Sequence, residues 1–410
     1  MIRQISWKNV WRNKARSLVI ISAITVGLFG GIFSYAVMMG GTLQRIDDAI
    51  KNETACIQIH NPALLLDDDI NNNIKEAKDY MEHLANRAEI KGISDRLKST
   101  AMISTAYASS GVLLNGVHPA REKEVTSLFE SISVGNYLQE SDLIPIIVGK
   151  KLADKLSADI GDKLIISVPN IEGEVAYGAF ILKGIYLTQN TMFDGMQVFV
   201  KKADLAELIG VDISRTSEIA INLNDSDLSE KITADLQEEF KSNIEKKAIV
   251  IRSWKEIDPV LSLMIETMDF MSWIFVGIIL IALAFGIVNT MLMVVLERTR
   301  EIGMLMAIGM NKMRIFTMIM WETIFLSFVG GLAGMLFSAA LISYFQFNGL
   351  DLSVVAEGMN SLGFSSVIYP QAPFSFYIEV SIMIIVTAIL ASIYPAIKAL
   401  KLHPAEAVRE

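Results

Sequence analysis

The chain has 410 residues, 52% of them hydrophobic and 20% charged, with a formal net charge of −9 and a mean hydropathy of +0.42. That mean is high for a soluble protein and low for one lying wholly in a membrane, so a few spans plus a large water-exposed part are expected. The single cysteine, Cys56, excludes a disulfide framework within the chain, the four histidines lack metal-ligand spacing, and no G-x-x-x-x-G-K-[ST] run is present to bind ATP.

Residues 1–17 carry Arg3, Lys8, Arg12, Lys14 and Arg16 and no acid. Trp7 and Trp11 lie four apart, on one helical face, as in an interfacial anchor. The uncharged run that follows, 18–40, exceeds the roughly 7–15 apolar residues of a signal peptide and reads as a membrane span. Cys56 does not follow an apolar run and reads as a lone thiol. Beyond span one, Leu43, Ile46, Ala49 and Ile50 keep helical spacing, and Leu261, Met264, Ile265 and Met268 do the same before the next span. Asp258 and Pro259 supply an N-cap and a first-turn proline for that second helix. The pattern implies two stalk helices.

Between the stalks, strands are expected at 54–60, 102–107, 112–117, 146–148, 163–168, 179–186, 197–200, 218–223 and 248–252. Helices are expected at 74–87, 150–156, 202–208 and 226–240. Helices recur between strands without a regular βαβ beat, so the class is α+β in two parts: 54–108 with 215–252, and an insertion, 109–214. Asp67-Asp68-Asp69, followed by Asn71-Asn72-Asn73, lacks the glycine and distal glutamate of a calcium loop and reads as solvated.

Spans two, three and four are expected at 270–296, 315–345 and 376–395. Span three carries Gly330, Gly331 and Gly334, and Gly330-x-x-x-Gly334 permits close approach of a helix, within the subunit or across a dimer. Glu322 and Glu379 lie near span ends, where snorkelling explains them. Segments 1–17, 297–314 and 398–410 together hold twelve Lys/Arg against four acids, whereas loop 346–375 holds no Lys or Arg. By the positive-inside rule the three segments and both termini are cytoplasmic, and 41–269 and 346–375 are outside. No G-x-S-x-G, H-E-x-x-H or paired-Cys signature supports catalysis, and the acidic outer part argues against nucleic acid.

Between spans two and three, segment 297–314 opens with ERTREIGMLMAIG. Ile302, Leu305, Met306 and Gly309 follow i, i+3, i+4, i+7 spacing, so a short amphipathic helix at the membrane surface is expected, with Gly309 closing it. Ile302, Leu305 and Met306 form its apolar knob and Glu297, Arg298, Arg300 and Glu301 its polar rim, with Gly303 among them.

ERTREIG and AIG, then Trp321-Glu322 and GGLAG, then YPAIKALKLHPAEAVRE together resemble the MacB/FtsX-type ABC transporter permeases along the whole chain. The resemblance is strongest to the lipoprotein-releasing LolC/LolE branch in GVHPAREKEVTSLFESISVGNYL, IIVGKKLADKLSADIGDKLIISVP and ILKGIYLTQNTMFD. It implies an α-helical membrane protein with four transmembrane helices plus a large extracytoplasmic α+β domain on two stalk helices. That domain would divide into porter (54–108 and 215–252) and sabre (109–214) subdomains. It further implies a multi-pass inner-membrane location with a cytoplasmic tail, 396–410, and a non-catalytic subunit that binds no cofactor itself. ATP and Mg²⁺ would be used by a partner ATPase docked on Glu297, Arg298, Arg300, Glu301, Ile302, Gly303, Leu305, Met306 and Gly309. A second permease subunit, a lipoprotein or other amphipathic cargo and a periplasmic carrier are the other implied partners. Ile24, Leu28 and Ile32 of span one and Phe275, Ile278 and Ile279 of span two are the expected cargo walls. MacB-like peptide or macrolide efflux and an FtsX-like scaffold activating a cell-wall hydrolase remain alternatives.

Overall fold

The structure, a computed structural model, describes residues 2–65 and 71–400. Asp67-Asp68-Asp69, His403 and the 401–410 part of the C-terminal motif lie outside the described residues.

The chain opens with α1 (Ile2–Arg12) and the long α2 (Lys14–Ala49), which ends in a π-helical turn, Ile50–Thr54. β1 (Ile57–His60), α3 (Ala77–Leu84), β2 (Ile90–Ser104), β3 (Ser109–Val117), α4 (Pro119–Val125) and β4 (Ile132–Gly135) follow. Next come β5 (Pro145–Gly149), α5 (Lys150–Leu156), β6 (Lys163–Pro169), β7 (Val175–Tyr186), α6 (Thr191–Met196), β8 (Gln197–Lys201) and α7 (Lys202–Ile209). β9 (Glu218–Leu223), α8 (Ser229–Glu239), α9 (Lys241–Glu245), β10 (Val250–Ser253) and α10 (Trp254–Ile257) complete this part. The return to long helices comes with α11 (Pro259–Glu297), where the Asp258 carboxylate accepts from the backbone N–H groups of Val260 and Leu261 at 3.1 and 3.2 Å, as an N-cap should. α12 (Thr299–Ala307), α13 (Lys312–Asn348), α14 (Ala356–Ser361) and α15 (Phe374–Leu400) close the chain.

Two compact units result: residues 2–42, 265–351 and 367–400 form one, 43–264 and 352–366 the other. α2, α11, α13 and α15 are long and apolar enough to cross a membrane, so four spans and a large α+β domain are present as expected. In the helical unit Ile24, Leu28, Ile32, Leu280, Ile287, Ile319, Ile384 and Ala388 belong to one buried cluster. α15 runs on through Pro395 instead of stopping at Tyr394-Pro395. Proline removes one helical hydrogen bond there, but Ala396 and Ala399 are fully buried and hold the last turn in the core.

In the second unit the strand order is β10-β1-β9-β2-β3-β8-β5-β7-β4, with β6 between β2 and β7. β2 pairs with β9 from Ile90 to Arg96 and with β3 from Leu97 to Ser104, so one strand serves two lobes. The boundary between the lobes therefore falls inside β2, after Arg96, rather than near 108. The first half of β2, α4, β4 and α6 carry no expectation from sequence. In β2 the reason is charge: Asp95 and Arg96 are buried, which masks the strand's apolar alternation. Arg96 is paired by Glu122 at 2.6 Å and Glu218 at 2.7 Å, which is what makes its burial tolerable.

Candidate functional site

The segment after α11 is built as expected in outline and inverted in detail. α12 ends in a Schellman motif: Gly309 N–H donates to the Met306 carbonyl at 3.1 Å and Met310 N–H to that of Leu305 at 3.0 Å. Gly309 has φ +94°, which only glycine adopts without strain.

The expected knob faces inward. Ile302 is 2% exposed and belongs to the buried cluster of the helical unit, Gly303 is buried, and Leu305 and Met306 are half-buried. The residues left on the surface are Arg300, Met304, Ala307, Gly309 and, at 85% exposure, Ile308. The spacing rule located an apolar stripe correctly but could not say that the stripe faces its own subunit. Met304 and Ile308, at i and i+4, are exposed apolar residues of this segment, and the spacing rule did not single them out.

The polar rim is a lock. Arg298 Nη1 contacts both Glu322 oxygens, at 3.1 and 3.0 Å, and its Nε donates to Glu301 at 2.9 Å. Arg12 of α1 pairs with the other side of Glu301, and Asn9 Nδ2 donates to Glu322 at 2.7 Å. These neighbours hold the Glu301 carboxyl below the usual carboxylate range, the Arg12 hydrogen bond most of all, and raise the Arg298 guanidinium despite its burial. Glu322 is buried and paired rather than snorkelling, while Glu379 is exposed. Glu297 stays on the surface. A polar groove of about 300 Å³ lies over this cluster.

α1 packs along α13 as a brace. Ser6 Oγ donates to the Met318 carbonyl at 3.0 Å, Trp7 stands edge-on to Phe325, and the Arg3 guanidinium sits 4.4 Å from the Trp321 ring centre. Trp7 thus has a partner within the protein besides its expected place at an interface.

Of the expected cargo walls, Ile24, Leu28 and Ile32 are buried inside the subunit, and of the three only Ile24 reaches the groove between α2 and α11. Phe275 and Ile278 are exposed and Ile279 is half-buried. A groove of about 360 Å³ runs between α2 and α11, with Gly27, Ile279 and Gly286 among its walls. The burial of Ile24 and Leu28 follows from span three. A Cβ on Gly330 would lie 2.9 Å from Ile24 Cβ, and one on Gly334 would lie 3.0 Å from Leu28 Cβ, whereas Gly331 meets nothing within 4 Å. Thr25 Oγ1 donates to the Gly330 carbonyl at 3.1 Å across the same contact. Gly330 and Gly334 serve packing within the subunit.

Cys56 is a buried thiol near Asn222, its pKa raised by burial. No cluster of three metal-ligating side chains occurs among the described residues.

A membrane protein with four apolar helices, a charge-locked surface helix between the second and third, and a large α+β domain is the class that these features define. Residues 273–404 match the FtsX-like permease C-terminal family. The lipoprotein-releasing system transmembrane protein LolC of Neisseria meningitidis is 25% identical over 83% of each chain. The protein LolE of Haemophilus influenzae is 18% identical over 98% of this chain and 97% of its own. The pyoverdine export ATP-binding/permease protein PvdT of Pseudomonas fluorescens is 24% identical over 81% of this chain and 50% of its own. Among solved structures, the periplasmic region of MacB from Actinobacillus actinomycetemcomitans is 15% identical, covering 53% of this chain and 98% of that one at a TM-score of 0.38. Residues 273–404 thus carry an FtsX-like permease domain, and the chain is similar along most of its length to the ABC transporter permeases LolC and LolE.

Proposed function

We infer that this permease is the membrane subunit of a mechanotransmitting transporter that extracts lipoproteins from the outer leaflet of the inner membrane and hands them to a periplasmic carrier. The similarity to LolC over 83% of both chains carries the cargo assignment. Both termini and α12 face the cytoplasm and the α+β domain the periplasm, in keeping with the charge distribution. A separate ATPase docks on α12 and a second permease subunit completes the complex. The half of PvdT that this chain leaves uncovered supports the ATPase, since that protein's name joins an ATP-binding part to a permease. The docking contact consists of Met304 and Ile308, an exposed apolar pair at the C-terminal end of a helix fixed from beneath by Arg298 and Glu322. Cargo passes along Phe275 and Ile278, beside the groove between α2 and α11.

The test is reconstitution of the chain in nanodiscs with its ATPase and photo-crosslinkers at positions 275 and 278. Capture of a lipoprotein, changing with nucleotide, supports the reading. Capture of phospholipid alone in every nucleotide state overturns the cargo. Capture of an exported peptide or siderophore instead favours the efflux reading suggested by PvdT. Robust ATP hydrolysis by the purified chain alone would overturn the division of labour.

A further inference from the structure

A cleft of about 850 Å³ in the α+β unit has no part in the scheme above. Its floor contains Asp95 of β2, His118 at the N-cap of α4 and Arg121 of α4. Arg121 Nη1 donates to one Asp95 oxygen at 2.8 Å, and Lys202 Nζ donates to the other from behind at 2.5 Å. Lys202 is fully buried and also donates to Thr216 Oγ1 at 3.1 Å. Arg215, next in the chain to Thr216, lines the same cleft, and its buried Nη1 has no hydrogen-bond partner.

The floor is therefore unbalanced. Arg121, Arg215 and Lys202 bring three cations against two carboxylates, Asp95 and, beside Lys202, Asp212. Burial raises the Asp95 carboxyl but Lys202 more than offsets this, so it is ionised and the count stands. His118 is pushed down by burial first and adds no charge near neutrality, only a donor or acceptor 3.8 Å from Asp95. The rim does not correct the excess, because Lys75, Lys78 and Lys91 are matched by Glu76, Glu82 and Glu124. A buried guanidinium N–H without a partner is costly, and Arg121 spends one of its five donors on Asp95. Two arginines lining one cleft suit a carboxylate, the anion a guanidinium pairs with best. Ile74, Met81, Ile90 and Ile213 give the cleft apolar wall, and its volume falls in the roughly 300–1,000 Å³ of ordinary ligand sites.

We propose that this cleft binds the carboxylate end of a peptide segment, with Arg121 and Arg215 as its ligands and the apolar wall receiving small side chains. The mixed-sign rim favours a polypeptide, whose backbone offers both donors and acceptors, over an acyl chain, which would need an unbroken apolar lining.

The experiment titrates the full-length chain in nanodiscs with N-acetyl-trialanine bearing a free carboxylate, with its C-terminal amide, and with inorganic phosphate as competitor. Saturable one-to-one binding of the acid, at least tenfold weaker binding of the amide, and a tenfold or greater loss in Arg121→Ala and in Arg215→Ala are expected. Lys163→Ala, on the exposed start of β6 and outside the cleft, should bind as the parent does. Should either alanine variant fail to fold, Arg121→Lys is read instead, with a partial loss expected because lysine cannot form the fork. Equal binding of acid and amide, unchanged affinity in the arginine variants, no saturable binding, or displacement of the peptide by an equal concentration of phosphate each overturns the proposal.

Discussion

Arg298 and Glu322 form an ion pair in which one guanidinium nitrogen reaches both carboxylate oxygens, at 3.1 and 3.0 Å, with the two side chains 14% and 6% exposed. The pair joins the start of α12 to the body of α13. Exposed pairs are worth roughly 0–1 kcal/mol, whereas stripping one partner from a buried pair costs about 3–5 kcal/mol. Arg298 consequently behaves as a structural residue and not as the dispensable rim charge that the sequence pattern suggests.

Arg298→Ala should lower the unfolding free energy of the detergent-solubilised chain by about 3–5 kcal/mol, because Glu322 is left with Asn9 alone. Replacing both partners by methionine should cost much less. Equilibrium unfolding in mixed micelles reads both, and a loss below about 1 kcal/mol for Arg298→Ala would put the pair with ordinary surface bridges.

Ile302 in α12 and Ile308 at its C-cap should separate folding from docking. Ile302→Asp puts a charge into the buried cluster and should destabilise the chain outright. Ile308→Asp changes an exposed side chain and should leave unfolding unchanged, while weakening capture of the ATPase by about thirtyfold, the equivalent of a ~2 kcal/mol anchor. Pull-down of the ATPase by each variant decides the matter. Full capture by Ile308→Asp would remove this face from the interface.

Much of this arrangement could be read beforehand. Four spans, the Asp258 cap and the Gly309 stop follow from hydropathy and local chemistry that a sequence displays directly. The direction in which a stripe faces does not. Ile302 and Ile308 are both isoleucines, one in α12 and one at its C-cap, and only the neighbouring α11 and α13 decide which is interior. The lock was half visible: Glu322 stood out as a charge within an apolar run, but its partner lies 24 residues away on another helix. β2 was missed for the same reason in reverse, since Asp95 and Arg96 look like loop residues until Lys202, Glu122 and Glu218, distant in sequence, arrive to neutralise them.

The glycines of span three offer a cleaner test. Gly330→Val and Gly334→Val would drive branched side chains into Ile24 and Leu28 and should each cost about 1–3 kcal/mol. Gly331→Val meets open space and should fold like the parent. If Gly331→Val instead lost dimerisation while Gly330→Val was tolerated, these glycines would serve contacts between subunits.

His60 and Glu218 make the α+β unit acid-sensitive. They are cross-strand partners on β1 and β9, His60 Nε2 and a Glu218 oxygen 3.8 Å apart, and both are buried. Burial lowers the His60 imidazole to about 4 from an ordinary 6.5. In the unfolded chain it takes up its proton first, so stability falls as pH drops from 6.5 to about 4. Burial would raise Glu218, but Lys98 and Arg96 outweigh it and hold the carboxyl at about 2 against 4.5. Its contribution is present above pH 4.5 and is lost as pH falls towards 2, so the two effects follow one another in the same direction. At ~1.4 kcal/mol for each pKa unit the His60 part amounts to at most about 3.5 kcal/mol. His60→Gln keeps a donor for Gln58, which His60 Nε2 meets at 2.8 Å, and removes the titration. Unfolding followed by tryptophan fluorescence should then show the parent losing more stability than the variant between pH 6.5 and 4, the other groups of the unit, Asp194 raised by burial to about 6 among them, contributing equally to both. The same slope in both proteins through that window would clear His60 of the role.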